Sequence, residues 1–239
     1  MFEIILVLVS ILGGGIATIA DFGIGSFIIP LLSLEIGTGP AIIGVSIAHF
    51  LGTSFHFYMW REFVNRKVLL AFGLPSAAGG IIGALLNSAI YNNILTVIFG
   101  SLLIFAGIMG LTGLTEKLRF TGKVGWISGA LSGLLGGLVG NQGGIRSASM
   151  LGFGLTAKEY IATAAGIALM VDIARIPIYV VLQSAEIVAI WRYVALASIG
   201  VFIGTFLGGW MLRKIPEKIF RIGVSLIIYL VGIFELTRL

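Results

Sequence analysis

The chain has 239 residues, 58% of them hydrophobic and 10% charged, with a mean hydropathy of +1.12. A soluble domain carries about 25% charged residues, and 15 Lys and Arg with 10 Asp and Glu cannot cover the surface of a soluble fold this size. The 35 glycines, about twice the usual share of ~7%, suit helices whose backbones approach closely in lipid. The composition is that of an all-α polytopic membrane protein.

Cutting the chain at its charges leaves apolar stretches at 3–36, 39–60, 68–87, 94–113, 124–155, 159–182, 193–212 and 219–238. The first has no basic start and no small-residue cleavage site, so it reads as a membrane element and not as a removed leader. Trp60, Trp126, Trp191 and Trp210 fall near stretch ends, where amphipathic rings prefer the headgroup level. Stretches 3–36 and 124–155 are too long for single spans, since a ~30 Å hydrocarbon core takes about 20 helical residues. Each contains glycine runs, Gly13-Gly14-Gly15 with Gly23 and Gly25 in one, and Gly136-Gly137 through Gly140-Asn141-Gln142-Gly143-Gly144 in the other. Glycine inside a helix costs about 1 kcal/mol relative to alanine, so each stretch is expected to break and return to its own side.

Basic residues set the orientation. Arg61, Arg66 and Lys67 fall in 61–67, Lys117, Arg119 and Lys123 in 114–123, and Arg213, Lys214, Lys218 and Arg221 in 213–221. Loop 88–93 has none and 183–192 only Arg192. Placing the rich loops inside puts both termini outside in the cytoplasmic membrane, provided that 124–155 starts and ends inside. The net charge of +5 thus belongs to membrane topology and gives no sign of nucleic-acid binding. Each half then runs hairpin, helix, helix, helix, with equivalent loops on opposite sides. That is an inverted-topology repeat, residues 1–116 and 117–239 within one membrane domain, which places substrate near the midplane. A weak sequence echo accompanies it: Gly23 to Leu32 recurs as Gln142 to Leu151, and Gly44-Val45-Ser46 as Ile161-Ala162-Thr163.

These residues resemble the TauE/SafE family, the sulfite-exporter and organosulfonate-permease group. The resemblance lies in two copies of a glycine-rich run, an apolar stretch and a small-residue element. The first copy reads Asp21-Phe22-Gly23-Ile24-Gly25, Pro30-Leu31-Leu32 and Val45-Ser46; the second reads Gly140-Asn141-Gln142-Gly143-Gly144 and Ala162-Thr163-Ala164. Neither copy has the full triple glycine of the family pattern, and Asp21 and Arg146 add charges to these loops. The resemblance spans nearly the whole chain and implies transport of a sulfur-containing oxyanion.

Ionisable groups inside a bilayer cost about 2.5–3.5 kcal/mol each and need a partner or a cavity. Arg146, just after Gly143-Gly144, offers a rigid donor fork suited to an oxyanion. Asn141, Gln142, Ser147 and N–H groups freed by the break add neutral donors. The alternative is a structural lock between Arg146 and Asp21. In the first half Gly23, Gly25 and Ser26 hold the equivalent position, and Asp21 is a candidate for proton coupling. Ser46 and Thr163 are candidate paired hydroxyls, against helix–helix hydrogen bonding. His49 faces the site as donor or proton relay, or bonds within the core. Asp172 and Arg175, at i and i+3, read as a structural or gating pair.

Several classes are set aside. With no cysteine and only two histidines, His49 and His56, seven residues and about 10 Å apart on one helix, no metal site is expected and no disulfide can form. Asp172-x-Ala-Arg175 resembles part of a lipid phosphotransferase signature but lacks the further aspartates for metal, and Ser46 with His49 lacks a third member, so no enzyme is expected. No phosphate-binding loop for ATP is found, and no cofactor is expected. The partners are a small anion and the lipid bilayer. The resulting expectation is a secondary transporter of sulfite or an organosulfonate, working by alternating access. A passive anion channel and a non-transporting membrane subunit are the alternatives.

Overall fold

The computed structural model describes residues 1–20, 23–114, 122–211 and 217–238, and all regular structure among them is helical. In chain order the helices are α1 (Phe2–Ala20), α2 (Ile24–Ile36), α3 (Thr38–Trp60), α4 (Arg66–Ala89), α5 (Asn92–Thr112), α6 (Gly122–Val139), α7 (Gly143–Met150), α8 (Ala157–Leu182), α9 (Ser184–Ala189), α10 (Trp191–Met211) and α11 (Glu217–Thr237). The eight apolar stretches thus map onto ten of these helices, and the short α9 lies in the loop after 182. Five helical segments are long and apolar enough to cross a membrane: Thr38–Phe63, Arg66–Ala89, Asn92–Thr112, Ala157–Leu182 and Trp191–Gly208. Shorter apolar helices occupy Phe2–Thr18, Ile24–Ile36, Val124–Val139 and Ile222–Thr237. Leu8, Ile82, Phe105, Ile173, Phe206 and Phe234 are exposed on these helices, as side chains meant for lipid must be.

Local chemistry fixes several ends. Asn65 caps α4 by accepting from the Val68 N–H at 3.2 Å. Thr156 and Glu159 form a reciprocal capping box at the start of α8. Pro40 sits in the first turn of α3, where its missing N–H leaves no bond unmade. Pro30, Pro75 and Pro177 lie inside α2, α4 and α8, a placement membrane helices accept because neighbours and side chains satisfy the freed carbonyls.

Both long stretches break, but not along the whole of their glycine runs. Gly13, Gly14 and Gly15 remain inside α1, and Gly136 and Gly137 inside α6. These glycines serve packing instead. A methyl group on Gly133 or Gly137 would land on the carbonyls of Ser76 and Gly80 in α4, and one on Gly79 or Gly83 on those of Ala130 and Leu134 in α6. The same holds between α1 and α10, where a methyl on Gly14 or Gly204 would strike the carbonyls of Val201 and Ile11. Small residues four apart let two backbones touch, and in lipid that contact is what holds helices together. The breaks themselves fall near Gly23 (φ 151°) and at Gly140 (φ 73°), conformations that disfavour a side chain.

The strongest pairings cross between the halves of the chain: α1 with α10, α4 with α6 and with α8, α3 with α8 and with α10, and α5 with α11. The main core gathers Ile28, Ile29 and Leu32 of α2, Ala41, Ile42 and Val45 of α3, Leu95, Phe99 and Leu103 of α5, and Val201 of α10. This packing holds the breaks after α1 and after α6 against one another.

Candidate functional site

The two breaks meet. A methyl on Gly25 would stand 2.5 Å from the Gly140 carbonyl oxygen, and the Asn141 side-chain amide donates to Ser26 Oγ at 3.2 Å across 115 residues of sequence. Beside this contact lies a cavity of about 40 Å³, against the ~10–15 Å³ that one water needs. There is room for a few waters or one small anion.

Its wall brings together the first turns of α2 and α7, through Gly23, Ile24, Gly25 and Ser26 on one side and Asn141, Gln142, Gly143 and Arg146 on the other. Within α2 and α7 the first helical bonds run from Phe27 N–H to Gly23 O at 3.0 Å and from Arg146 N–H to Gln142 O at 3.2 Å. The N–H groups before them have no acceptor within their own helix and carry the positive end of its dipole. Two such ends converge on the cavity.

The side chains strengthen that character. Arg146 is 2% exposed and lines the cavity, a guanidinium held where a mobile surface cation would not stay. Gln142 is 5% exposed, and its side-chain oxygen and nitrogen have no hydrogen-bond partner among the described residues. Its backbone carbonyl accepts from Ser132 Oγ at 3.1 Å, and its side chain lies against Gly136, so the amide is positioned from behind. A buried polar group left without a partner costs about 1–3 kcal/mol. An arrangement of this kind suits a ligand with several acceptor oxygens.

On α3, His49, Gly52, Thr53 and His56 recur at helical spacing along the same wall. Thr18 of α1 and Thr205 of α10 complete its polar lining, and Ala165 and Ala168 of α8 keep it open. Thr18, Thr53 and Thr205 were not among the residues that the sequence singled out, and His56 was weighed there only as a metal ligand, although its spacing from His49 put both on one face of α3.

Not every sequence candidate lines this cavity. Ser46 Oγ donates to the Ile43 carbonyl within its own helix at 2.6 Å. Thr163 Oγ1 accepts the Asn65 backbone N–H at 3.0 Å, tying α8 to the start of α4. Gly144 belongs to the first turn of α7, and Ser147, half-buried on the same helix, keeps its Oγ from solvent. Asp21 lies outside the described residues. Asp172 and Arg175 do pair, with Nε 3.0 Å and Nη2 2.7 Å from Asp172 Oδ1. His49 Nδ1 joins them, 2.6 Å from Oδ2.

A family model described as sulfite exporter TauE/SafE matches residues 6–234. The chain belongs to this family. No match was found among curated proteins or among solved structures. As a TauE/SafE protein with apolar helices of spanning length, the chain is a membrane protein, and the family points to transport of a sulfur-containing anion.

Proposed function

We propose that this TauE/SafE protein is a secondary transporter that binds sulfite, or another small sulfur oxyanion, between the breaks at Gly23 and Gly140. The observation that carries the reading is the convergence of buried Arg146, the unpartnered amide of Gln142 and two helix N-termini on one small cavity. Arg146 supplies charge and a planar donor fork. Gln142, Asn141 and Ser26 supply neutral donors, and the N–H groups of Gly25, Gly143 and Gly144 receive oxygen atoms without needing a side chain. Asp21 precedes the first break and belongs to the same region of the sequence. Ser46 and Thr163 act in packing.

The halves 1–116 and 117–239 work as inverted repeats with both termini outside the cytoplasmic membrane. The exchange of partners supports the repeat relation, because α1 packs on α10 as α6 packs on α4, and the basic loops support the orientation. Alternating access follows from one repeat rocking on the other around the cavity.

The test is labelled sulfite uptake by proteoliposomes, with and without unlabelled sulfite inside. Counterflow should accelerate uptake in the native protein. Arg146→Ala removes charge-assisted hydrogen bonds of about 1.5–3 kcal/mol, so half-saturation should rise roughly 10- to 150-fold. Unchanged exchange in this variant would remove Arg146 from the site, and flux without saturation or counterflow would mark a channel.

A further inference from the structure

Anion binding leaves a buried charged cluster beside the cavity unused. Asp172 and Arg175 are 0% and 1% exposed and sit beside the cavity without lining it, whereas the His49 ring does line it. Arg175 donates to the Gly136 carbonyl and Tyr179 to that of Gly137. The pair is thereby fastened to α6, the first limb of the second broken hairpin. One carboxylate held by one guanidinium is already neutral, so a structural pair here is complete without His49. Yet His49 reaches from α3, in the other half of the chain, to the second carboxylate oxygen.

That geometry assigns the ring's two nitrogens. A carboxylate held by Arg175 only accepts, so Nδ1 carries the hydrogen and donates to Asp172. Nε2 is then the nitrogen left to take up a proton, on a residue that lines the cavity. From this we infer that His49 is the proton carrier of the transport cycle and that Asp172 is its positioning residue, a step that rests on the transport reading above.

With the cavity open to one side, Nε2 takes a proton from water. The ring becomes cationic, stabilised by Asp172, and adds its charge to that of Arg146, so the anion binds. With the cavity open to the other side, Nε2 returns the proton to water and the anion leaves. Asp172 stays ionised throughout. The groups around His49 fit this role: Asp172 and Arg175 from α8, Arg146 from α7 across the cavity, and His56 two turns further along the same face of α3, while among the described residues α2 and α10 line the cavity with the hydroxyls of Ser26 and Thr205. Glu186 on α9 is exposed, and Arg61 and Glu62 lie beyond the far end of α3.

The experiment records labelled sulfite and lumenal pH together in proteoliposomes, with protein-free vesicles giving the proton movement that sulfite causes by itself. The native protein should move about one additional proton per anion. In His49→Gln the ratio should fall to what sulfite alone accounts for, and Asp172→Asn should lower it while shifting the pH profile of uptake. Arg192→Ala, which alters only an exposed ion pair with Glu3, should keep the native ratio. Sulfite counterflow without additional proton movement in the native protein would overturn the assignment, as would an unchanged ratio in His49→Gln. Absence of counterflow in the native protein would instead overturn the transport reading, and the proton step with it.

Discussion

Replacing Asp172 by alanine should expose how the two halves are held. The carboxylate is fully buried and takes bonds from Arg175 at 2.7 and 3.0 Å and from His49 at 2.6 Å. Its loss leaves the Arg175 guanidinium, 1% exposed, with neutral partners such as the Gly136 carbonyl and the Tyr179 hydroxyl in place of a carboxylate. Breaking a buried pair by removing one member costs about 3–5 kcal/mol, because the other charge stays behind. For a chain of this length each kcal/mol lowers the melting temperature by roughly 2–4 °C, so a loss of about 6–20 °C is expected in detergent. Arg175→Met should cost less, since Asp172 keeps His49. In Asp172→Ala with Arg175→Met no guanidinium is stranded, and the double variant should be more stable than the sum of the single losses by at least ~2 kcal/mol. A thermal-unfolding cycle over the four proteins measures this coupling directly. Single effects that add to within ~0.5 kcal/mol would refute the argument.

Other outcomes follow from the same geometry. Gly25→Ala places a methyl 2.5 Å from the Gly140 carbonyl, so the two breaks must part. Overpacking of this kind costs about 1–3 kcal/mol, and sulfite uptake should fall with the melting temperature. Thr163→Val removes the acceptor of the Asn65 N–H and should destabilise by about 1–3 kcal/mol while leaving the half-saturation for sulfite unchanged, which kinetics on the folded variant would check. Thr156→Ala removes the cap of α8 and should cost about 1 kcal/mol, measured by thermal unfolding. Arg192→Ala breaks an ion pair with Glu3 in which both side chains are exposed, and such pairs contribute about 0–1 kcal/mol. Its melting temperature should barely move.

The fold was legible because membrane insertion depends on local sequence. Runs of apolar residues between charges located the helices, and the excess length of 3–36 and 124–155 announced the breaks. Glycine content alone did not locate those breaks. Gly14, Gly15 and Gly137 stay helical with α10 and α4 pressed on them, while Gly13 and Gly136 pack against Gly23 and Gln142, tertiary contacts that outweigh a propensity of about 1 kcal/mol per residue. The same limit governs the site. Arg146 and Gln142 stood out as polar groups at a break, a local anomaly. That His49 meets Asp172 depends on how α3 packs against α8, 123 residues later, and no spacing rule reaches that far. Ser46 and Thr163 occupied matching positions in the sequence echo, yet each hydroxyl is bound to a nearby backbone group, a satisfaction that only coordinates reveal.

The central claim is that a small oxyanion sits where the two breaks meet. Selenite has the pyramidal shape and charge of sulfite, and its selenium scatters anomalously. The chain has no cysteine to reduce it. A crystal of the protein soaked in selenite should show one anomalous peak in the cavity between Arg146, Gln142 and Gly25, absent in Arg146→Ala and displaced by sulfite. A peak elsewhere in the native protein, or an empty cavity at saturating selenite, would contradict the claim.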